Sequence, residues 1–214
     1  MRNTVLLIGA IALLSASAWA VDGQVLINQS TVMSSGGFPY HITQTGSYKL
    51  SGNLVATLNQ QAIQITAINV TLDLNGFNVT CNFDANYPRL TFFGCLGDGG
   101  FGQGASDVSI RNGTVTATQT GGAVDIFHNM AAVAFFSSAR LTVEGLHIQA
   151  SATAVVGSIG LASPTNSIIR HNILSGTAGP SFQCPSLIEG NVNTTVGSGH
   201  SGAGCVFVNN IGVF

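Results

Sequence analysis

Six short segments of the sequence share one pattern, and this repeat constrains the fold more than any other feature. In five of them, apolar residues occupy mostly alternate positions of a five-residue stretch that ends in a charge. These five segments are residues 69–73, 107–111, 140–144, 166–170 and 185–189. A sixth copy, residues 205–209, ends in Asn209 instead. The alternation predicts a β-strand with one buried face, and the Asn, Gly or His that follows most copies suits a turn.

The central apolar residues of the copies recur at intervals of 38, 33, 26, 19 and 20 residues. They are Leu72, Ile110, Val143, Ile169, Ile188 and Val208. A strand of this length cannot bury one face by itself, so the copies are expected to stack in parallel, about 4.8 Å apart, around a shared core. The sequence therefore predicts an all-β domain over residues 21–214, built as a parallel β-helix, which is a solenoid.

Three segments early in the chain resemble a known family. Residues 40–54, 62–65 and 69–77 resemble the N-terminal part of bacterial secreted right-handed parallel β-helix proteins of the pectate-lyase-like superfamily. With residues 107–115 and 140–148, the likeness covers most of the chain after residue 20. The resemblance implies a single-stranded, right-handed coil. Because the family's best-known enzymes act on acidic polysaccharides and many members have no assigned activity, the resemblance implies a fold more than a function.

Alignment of the copies places charges of alternating sign at one outward position of five successive strands. These residues are Asp73, Arg111, Glu144, Arg170 and Glu189. If the strands are neighbours, each charge lies about 5 Å from opposite charges, and the alternation disfavours a slip in register. We interpret the column as a structural salt-bridge ladder rather than a row of catalytic acids and bases. An extra coil hidden before Val143 would separate Arg111 from Glu144.

Residues 1–20 have the pattern of a cleavable secretory signal peptide. Arg2 precedes an apolar run over residues 5–14, and residues 18–20 (Ala-Trp-Ala) carry small residues at the two positions that a signal peptidase reads. Two serines keep the run shorter than the roughly 20 apolar residues that a membrane span needs. We therefore expect a secreted or periplasmic bacterial protein with no membrane span after the signal is removed.

The four cysteines, Cys81, Cys95, Cys184 and Cys205, are expected to form two disulfides in an oxidising compartment. Of the three possible connectivities we favour Cys81 with Cys95 and Cys184 with Cys205. The partners are close in sequence, and the second pair is separated by 21 residues, about one coil. Zinc binding is the alternative, but CxxC and HxxxH spacings are missing. No metal or other cofactor is predicted.

The interval between Leu72 and Ile110 is too long for one coil and predicts a protruding loop over residues 80–104, while residues 21–54 are predicted to form an N-terminal cap. Long loops on a rigid scaffold are often functional, and aromatic faces beside polar groups suit sugar rings. The ligand-binding candidates are Tyr87, Arg89, Phe92, Phe93 and Asp98. Alternatively, the loop folds its own apolar residues over the side of the coil.

Charge and motif content exclude several functions. Only 7% of the residues are charged and the net charge is −2, so nucleic acid, which requires a basic surface, is a poor partner. Glycoside cleavage needs two positioned carboxyl groups, and three of the eight acidic residues belong to the column. His200 lacks the partner acids and the Arg-x-Lys segment that hydrolases of the resembling family share, and Lys49, the only lysine, has no acidic cluster around it in the sequence. No catalytic residue is predicted.

The leading hypothesis is therefore an exported noncatalytic β-helix that binds a glycan or another cell-surface component, or that serves as a structural element. The alternative is a polysaccharide lyase or glycoside hydrolase that acts on an acidic polysaccharide. Because the last and first coils of a solenoid expose unpaired strand edges, end-to-end self-association is also expected where an end is not capped.

Overall fold

The computed structural model describes residues 23–84, 94–99, 104–120, 131–136, 139–152, 159–177, 179–195, 199–212 and 214. In these ranges the protein is all-β, with two sheets of parallel strands and one six-residue helix. The predicted signal peptide lies outside the described residues.

The strands form three parallel ladders. The first ladder is a separate sheet of β2 (Tyr40–Ile42), β5 (Ile63–Ile65), β8 (Gly94–Gly97), β10 (Ala131–Ala134), β12 (Ile159–Ser163), β15 (Ser181–Gln183) and β18 (Gly199–Ser201). The second consists of β1 (Gln24–Ile27), β3 (Gly46–Leu50), β6 (Ile68–Asp73), the first halves of β9 (Ser106–Thr120) and β11 (Ala139–Ala152), β13 (Ile168–Arg170), β16 (Leu187–Glu189) and β19 (Val206–Val208). The third consists of β4 (Leu54–Val55), β7 (Asn78–Asp84), the second halves of β9 and β11, β14 (Ile173–Gly176) and β17 (Val192–Asn193).

The chain passes through these ladders in the same order each time. Starting at β2, it makes six circuits of first, second and third ladder, and then a seventh through β18, β19 and Ile211, which bridges to Val192. Inward side chains from the three ladders join in one hydrophobic cluster that extends from Ile27 to Ile188. Each fully buried Leu, Ile, Val or Phe in such a cluster contributes roughly 1.5–3 kcal/mol.

The central residues of the repeat line one inward row of the second ladder. Leu72, Ile110, Val143, Ile169 and Ile188 are each paired with the next in register and are fully buried. The long intervals therefore do not hide an extra circuit, and Arg111 is paired directly with Glu144.

The sixth copy is shifted by one residue from its expected register. We expected Val208 to follow Ile188, but Ile188 pairs with Phe207, and Val208 pairs with Glu189. Residues 206–208 are Val-Phe-Val, and three consecutive apolar residues carry no alternation that could specify which one points inward.

The N-terminal segment contains an element that the sequence did not predict, the helix α1 (Gln29–Ser34). Asn28 caps it, because its Oδ1 accepts a hydrogen bond of 2.9 Å from the backbone N–H of Thr31. The Gln29 side chain exchanges two hydrogen bonds with the backbone of Val55, at 3.0 and 3.2 Å. Helix α1 therefore lies against the first strand of the third ladder, whereas the first and second ladders begin with β2 and β1.

The segment predicted as one loop over residues 80–104 is partly strand. Strand β7 runs to Asp84, and β8 lies within the segment, while residues 85–93 and 100–103 are outside the described ranges. The Cys81–Cys95 disulfide joins β7 to β8 with a Cα–Cα distance of 5.6 Å, and Cys184–Cys205 is the second disulfide. These are the two pairs favoured from sequence separation.

Candidate ligand-binding surface

The charged column of the second ladder has six members rather than five. Lys49 is paired in register with Asp73, and the sign alternates from strand to strand. The column is Lys49, Asp73, Arg111, Glu144, Arg170 and Glu189. The sequence analysis missed Lys49, although its interval of 24 residues to Asp73 lies within the range of the others and Tyr48 and Leu50 flank it with apolar side chains.

Direct contact occurs in two of the five steps of this column. Arg111 Nε lies 3.3 Å from Asp73 Oδ2, and Arg170 Nη2 lies 2.9 Å from Glu144 Oε2. Within the described part of the chain, no ion pair joins Arg111 to Glu144 or Arg170 to Glu189. Partly exposed pairs of this kind each contribute about 0–1 kcal/mol. The four inner members therefore neutralise one another in two pairs, whereas Lys49 and Glu189 have no ion pair among the described residues.

A second pair, Asp107 with Arg140, was not recognised from the sequence. Arg140 donates two hydrogen bonds to the carboxylate, Nε to Oδ1 at 2.5 Å and Nη2 to Oδ2 at 2.6 Å. These bonds hold the pKa of the Asp107 carboxyl below its ordinary value and raise the pKa of Arg140. Both residues have positive φ, 55° and 58°, at the position where Asn69 and Asn166 also enter their strands with positive φ.

Three asparagines, two of them buried and one half-buried, form a hydrogen-bonded row where the second ladder turns into the third. Asn191 Oδ1 accepts hydrogen bonds from the backbone N–H and the Nδ2 of Asn172, at 2.9 and 3.0 Å. Asn210 Oδ1 does the same for Asn191, at 2.9 and 3.0 Å. Their Nδ2 groups also donate to the carbonyls of Val143, Ile169 and Ile188 in turn. These side chains are therefore occupied by the turn and are not available to a ligand.

The outward side of the third ladder carries a surface of polar side chains, which we call the polar face, and the exposed apolar residues Val55 and Ile173 lie at its two edges. Its residues alternate with buried ones such as Val79, Cys81 and Val115. The polar face consists of Asn78, Thr80 and Asn82 on β7, Thr114, Thr116 and Thr118 on β9, His147, Gln149 and Ser151 on β11, and Ser175 on β14. Neighbouring side chains are about 4.8 Å apart across strands and about 6.6 Å apart along them.

Internal hydrogen bonds occupy one part of the polar face and leave another part open. Asn78 Nδ2 donates to Thr80 Oγ1 at 3.1 Å, and Thr116 Oγ1 donates to Asn78 Oδ1 at 3.3 Å. Among the residues that the structure describes, the side chains of Asn82, Thr118 and Gln149 have no hydrogen bond within the protein. Their amides and hydroxyl therefore offer donors and acceptors to molecules in solution.

The structure separates the five ligand candidates of the loop. Tyr87, Arg89, Phe92 and Phe93 lie outside the described residues, in a segment that leaves β7 directly after Asp84, two positions beyond Asn82. Asp98 is fully buried, and its Oδ2 accepts a hydrogen bond of 2.9 Å from the backbone N–H of Phe136. A buried carboxylate with this role holds a neighbouring backbone in place and cannot contact a ligand at the surface.

The described residues contain no group of three side chains that could hold a metal ion. A shallow depression of about 340 Å³ lies on the second ladder near β19, and no titratable side chain lines it. None of the helices within the described ranges has the length and apolar character needed to cross a membrane. The two disulfides are compatible with an extracellular or periplasmic protein.

No protein-family model, curated protein or solved structure matches this chain.

Proposed function

We propose that this protein is an exported, noncatalytic, right-handed parallel β-helix that binds a neutral glycan through its polar face. The observation that carries the proposal is the set of unoccupied amide and hydroxyl groups on Asn82, Thr118 and Gln149. A sugar chain carries hydroxyl groups that both donate and accept hydrogen bonds, and these side chains do the same.

The all-parallel topology supports the coil. Three ladders entered in a constant order, with every pairing parallel, are what one continuous coil around a common core produces. Connections between parallel strands of one sheet are right-handed in about 98% of cases, which supports the handedness that the resemblance to the pectate-lyase-like superfamily implies. The signal-like residues 1–20 and the two disulfides support export.

The distribution of charge favours a neutral glycan over an acidic one. Arg111, Arg140 and Arg170 are each engaged by a carboxylate, and the polar face contains no lysine or arginine. An anionic polysaccharide would need free cations there, whereas a neutral one needs only hydrogen-bonding groups.

The same pairs weigh against a lyase or hydrolase. Asp73, Asp107 and Glu144 are each held by an arginine, and Asp98 is buried. Hydrolysis needs two free carboxyl groups that flank the scissile bond, and these paired groups are not arranged to supply them.

The aromatic loop supplies a second contact in this proposal. Tyr87, Arg89, Phe92 and Phe93 follow β7 in the sequence, and β7 ends at Asp84, two positions beyond Asn82 of the polar face. An aromatic ring next to a hydrogen-bonding surface is a suitable partner for the apolar face of a sugar.

Binding to insoluble and soluble polysaccharides tests the proposal. The exported protein is incubated with neutral glucans, mannan and galactan, and with pectin and alginate, while reducing ends and unsaturated ends are measured. We expect binding to a neutral polymer without product. If the protein binds none of the neutral polymers, or if it releases product from pectin or alginate, the proposal is wrong.

Matched variants locate the surface. We expect the Asn82→Ala/Gln149→Ala double variant to bind about 30-fold more weakly, since each of the two lost hydrogen bonds is worth about 1 kcal/mol. The control is Thr71→Ala/Thr142→Ala, which removes two outward hydroxyls from the second ladder and is expected to bind like the wild type. Loss of Tyr87, Phe92 and Phe93 with full binding retained would remove the loop from the site.

A further inference from the structure

The inward row of the second ladder is complete at every position except its two ends. It runs through Val25, Tyr48, Leu72, Ile110, Val143, Ile169, Ile188 and Phe207. The six inner members are 7% exposed or less, whereas Val25 is 41% exposed and Phe207 is 39% exposed. Both end residues have the apolar character of the row, and within the described residues no strand pairs with the outer edge of β1 or of β19.

The strands that carry these residues are edges of the same ladder. Within the described residues, β1 pairs with β3 alone and β19 pairs with β16 alone. Both strands run in the same direction as the rest of the ladder. The outer edge of β19 therefore offers a following strand the same arrangement of backbone N–H and C=O groups that β16 offers β19. The outer edge of β1 is the matching surface, because it offers a preceding strand the same arrangement of backbone groups that β3 offers β1.

From this match we infer that the protein associates head to tail with a second copy of itself, by parallel pairing of β19 in one copy with β1 in the next. Continued register brings Phe207 against the partner's Val25. Val208 of β19 then lies beside the partner's Leu26. The contact continues the ladder with the geometry of its internal steps, and it does not depend on glycan binding.

Neighbouring features favour this polarity. Every pairing in the ladder is parallel, and head-to-tail stacking keeps it so, whereas joining two C-terminal ends about a two-fold axis would pair the two β19 strands antiparallel. Exposed apolar side chains also gather at both ends, Leu26 on β1 and Val206 on β19. Helix α1 covers the start of the third ladder through Gln29, so the inferred contact lies on the second ladder.

Sedimentation equilibrium of the protein purified from the periplasm of an expression host tests the inference. A head-to-tail contact is open, so the mean mass is expected to rise with concentration beyond that of a dimer. We expect Val25→Asp and Phe207→Asp each to lower the association constant at least about tenfold, because each would bury an unpaired carboxylate. Ile68→Asp, at an exposed apolar position of an inner strand, is the matched control and should associate like the wild type.

Mixing the two end variants identifies the geometry. Each retains one intact end, so a 1:1 mixture is expected to form dimers and nothing larger. A wild-type protein that stays monomeric at every concentration overturns the inference, as does a closed dimer that Val25→Asp leaves unchanged, which would indicate pairing of two C-terminal ends. If Phe207→Asp does not fold, hydrogen exchange of the wild type decides. Protection of the Val206–Val208 amides that rises with concentration supports the contact, and concentration-independent exchange contradicts it.

Discussion

The buried asparagines show how one side chain can serve as part of the backbone ladder. At this turn Asn172, Asn191 and Asn210 follow residues with positive φ, namely His171, Gly190 and Asn209. The turn breaks the regular strand pairing, and the asparagine amides bond to the backbone groups that would otherwise be left without partners. Because each amide bonds to the next, the ladder also favours the register that brings the three together.

Asn191 is the central member, and its replacement should be costly. Asn191→Ala would leave the backbone N–H of Asn172 and the carbonyl of Ile169 buried without these partners. We expect the free energy of unfolding to fall by about 2–4 kcal/mol, measured by urea denaturation.

Asn210→Ala is the comparison, because Asn210 is the last of the three asparagines and is half-buried, whereas Asn172 and Asn191 are buried. It should lose less, about 1–2 kcal/mol. Equal losses for the two variants would contradict a ladder in which burial determines the cost.

Among the strands, β8 is placed by a close backbone approach that only glycine allows. A Cβ atom built on Gly97 would lie 2.1 Å from the carbonyl oxygen of Ala134, the residue paired with it on β10. The approach also brings the backbone N–H of Asp98 to the same oxygen at 3.3 Å. The tight contact explains why β8 reads Gly-Cys-Leu-Gly and lacks the alternation of the second ladder.

Gly97→Ala should therefore weaken the first ladder. We expect a loss of about 2–4 kcal/mol in the free energy of unfolding, because backbone atoms rather than a flexible side chain must move. Gly199→Ala in β18 is the matched control, since a Cβ there meets nothing within 4 Å and its φ is not positive. The control should change stability by less than about 0.5 kcal/mol. An effect of Gly97→Ala no larger than that of the control would show that β8 and β10 can separate at little cost.

The strand elements were predictable where alternation was strong and not elsewhere. Residues 69–73, 107–111 and 140–144 alternate, and the structure pairs them in the expected register. Strands β4 and β17 have two residues each, too few for any period to be read. The positive φ of Arg140 was also beyond prediction, because a long side chain rarely adopts that conformation and does so here together with its bonds to Asp107.

For the molecule as a whole, the sequence predicted the stacking of the second ladder but not of the other two. A surface on the third ladder therefore could not be predicted as a candidate binding site. The sequence predicted Tyr87 and Phe92 as ligand-binding candidates, because they are aromatic residues in the long interval between Leu72 and Ile110. The polar face did not, although Thr114, Thr116 and Thr118 alternate plainly. An outward strand face becomes a surface only when its neighbours are known, and the partners of β9 on this side, β7 and the second half of β11, follow from register in three dimensions.

A molecule built from circuits should not be equally stable along its length. Each circuit contacts its neighbours, so the free energy of local opening depends on the number of neighbours and the length of the strands. Strands β9 and β11, of 15 and 14 residues, are paired on both sides, whereas β18 and β19 have three residues each and, in the described part of the chain, one neighbour each. At concentrations where the protein is monomeric, we expect hydrogen exchange to be slowest at Ile110 and Val143 and fastest at Phe207, with a difference in opening free energy on the order of 3 kcal/mol. Exchange measured by mass spectrometry should therefore report a gradient from the middle circuits towards β19. Equal protection throughout would mean that the whole protein opens as one cooperative unit, and that the exposed C-terminal strand is held as firmly as the centre.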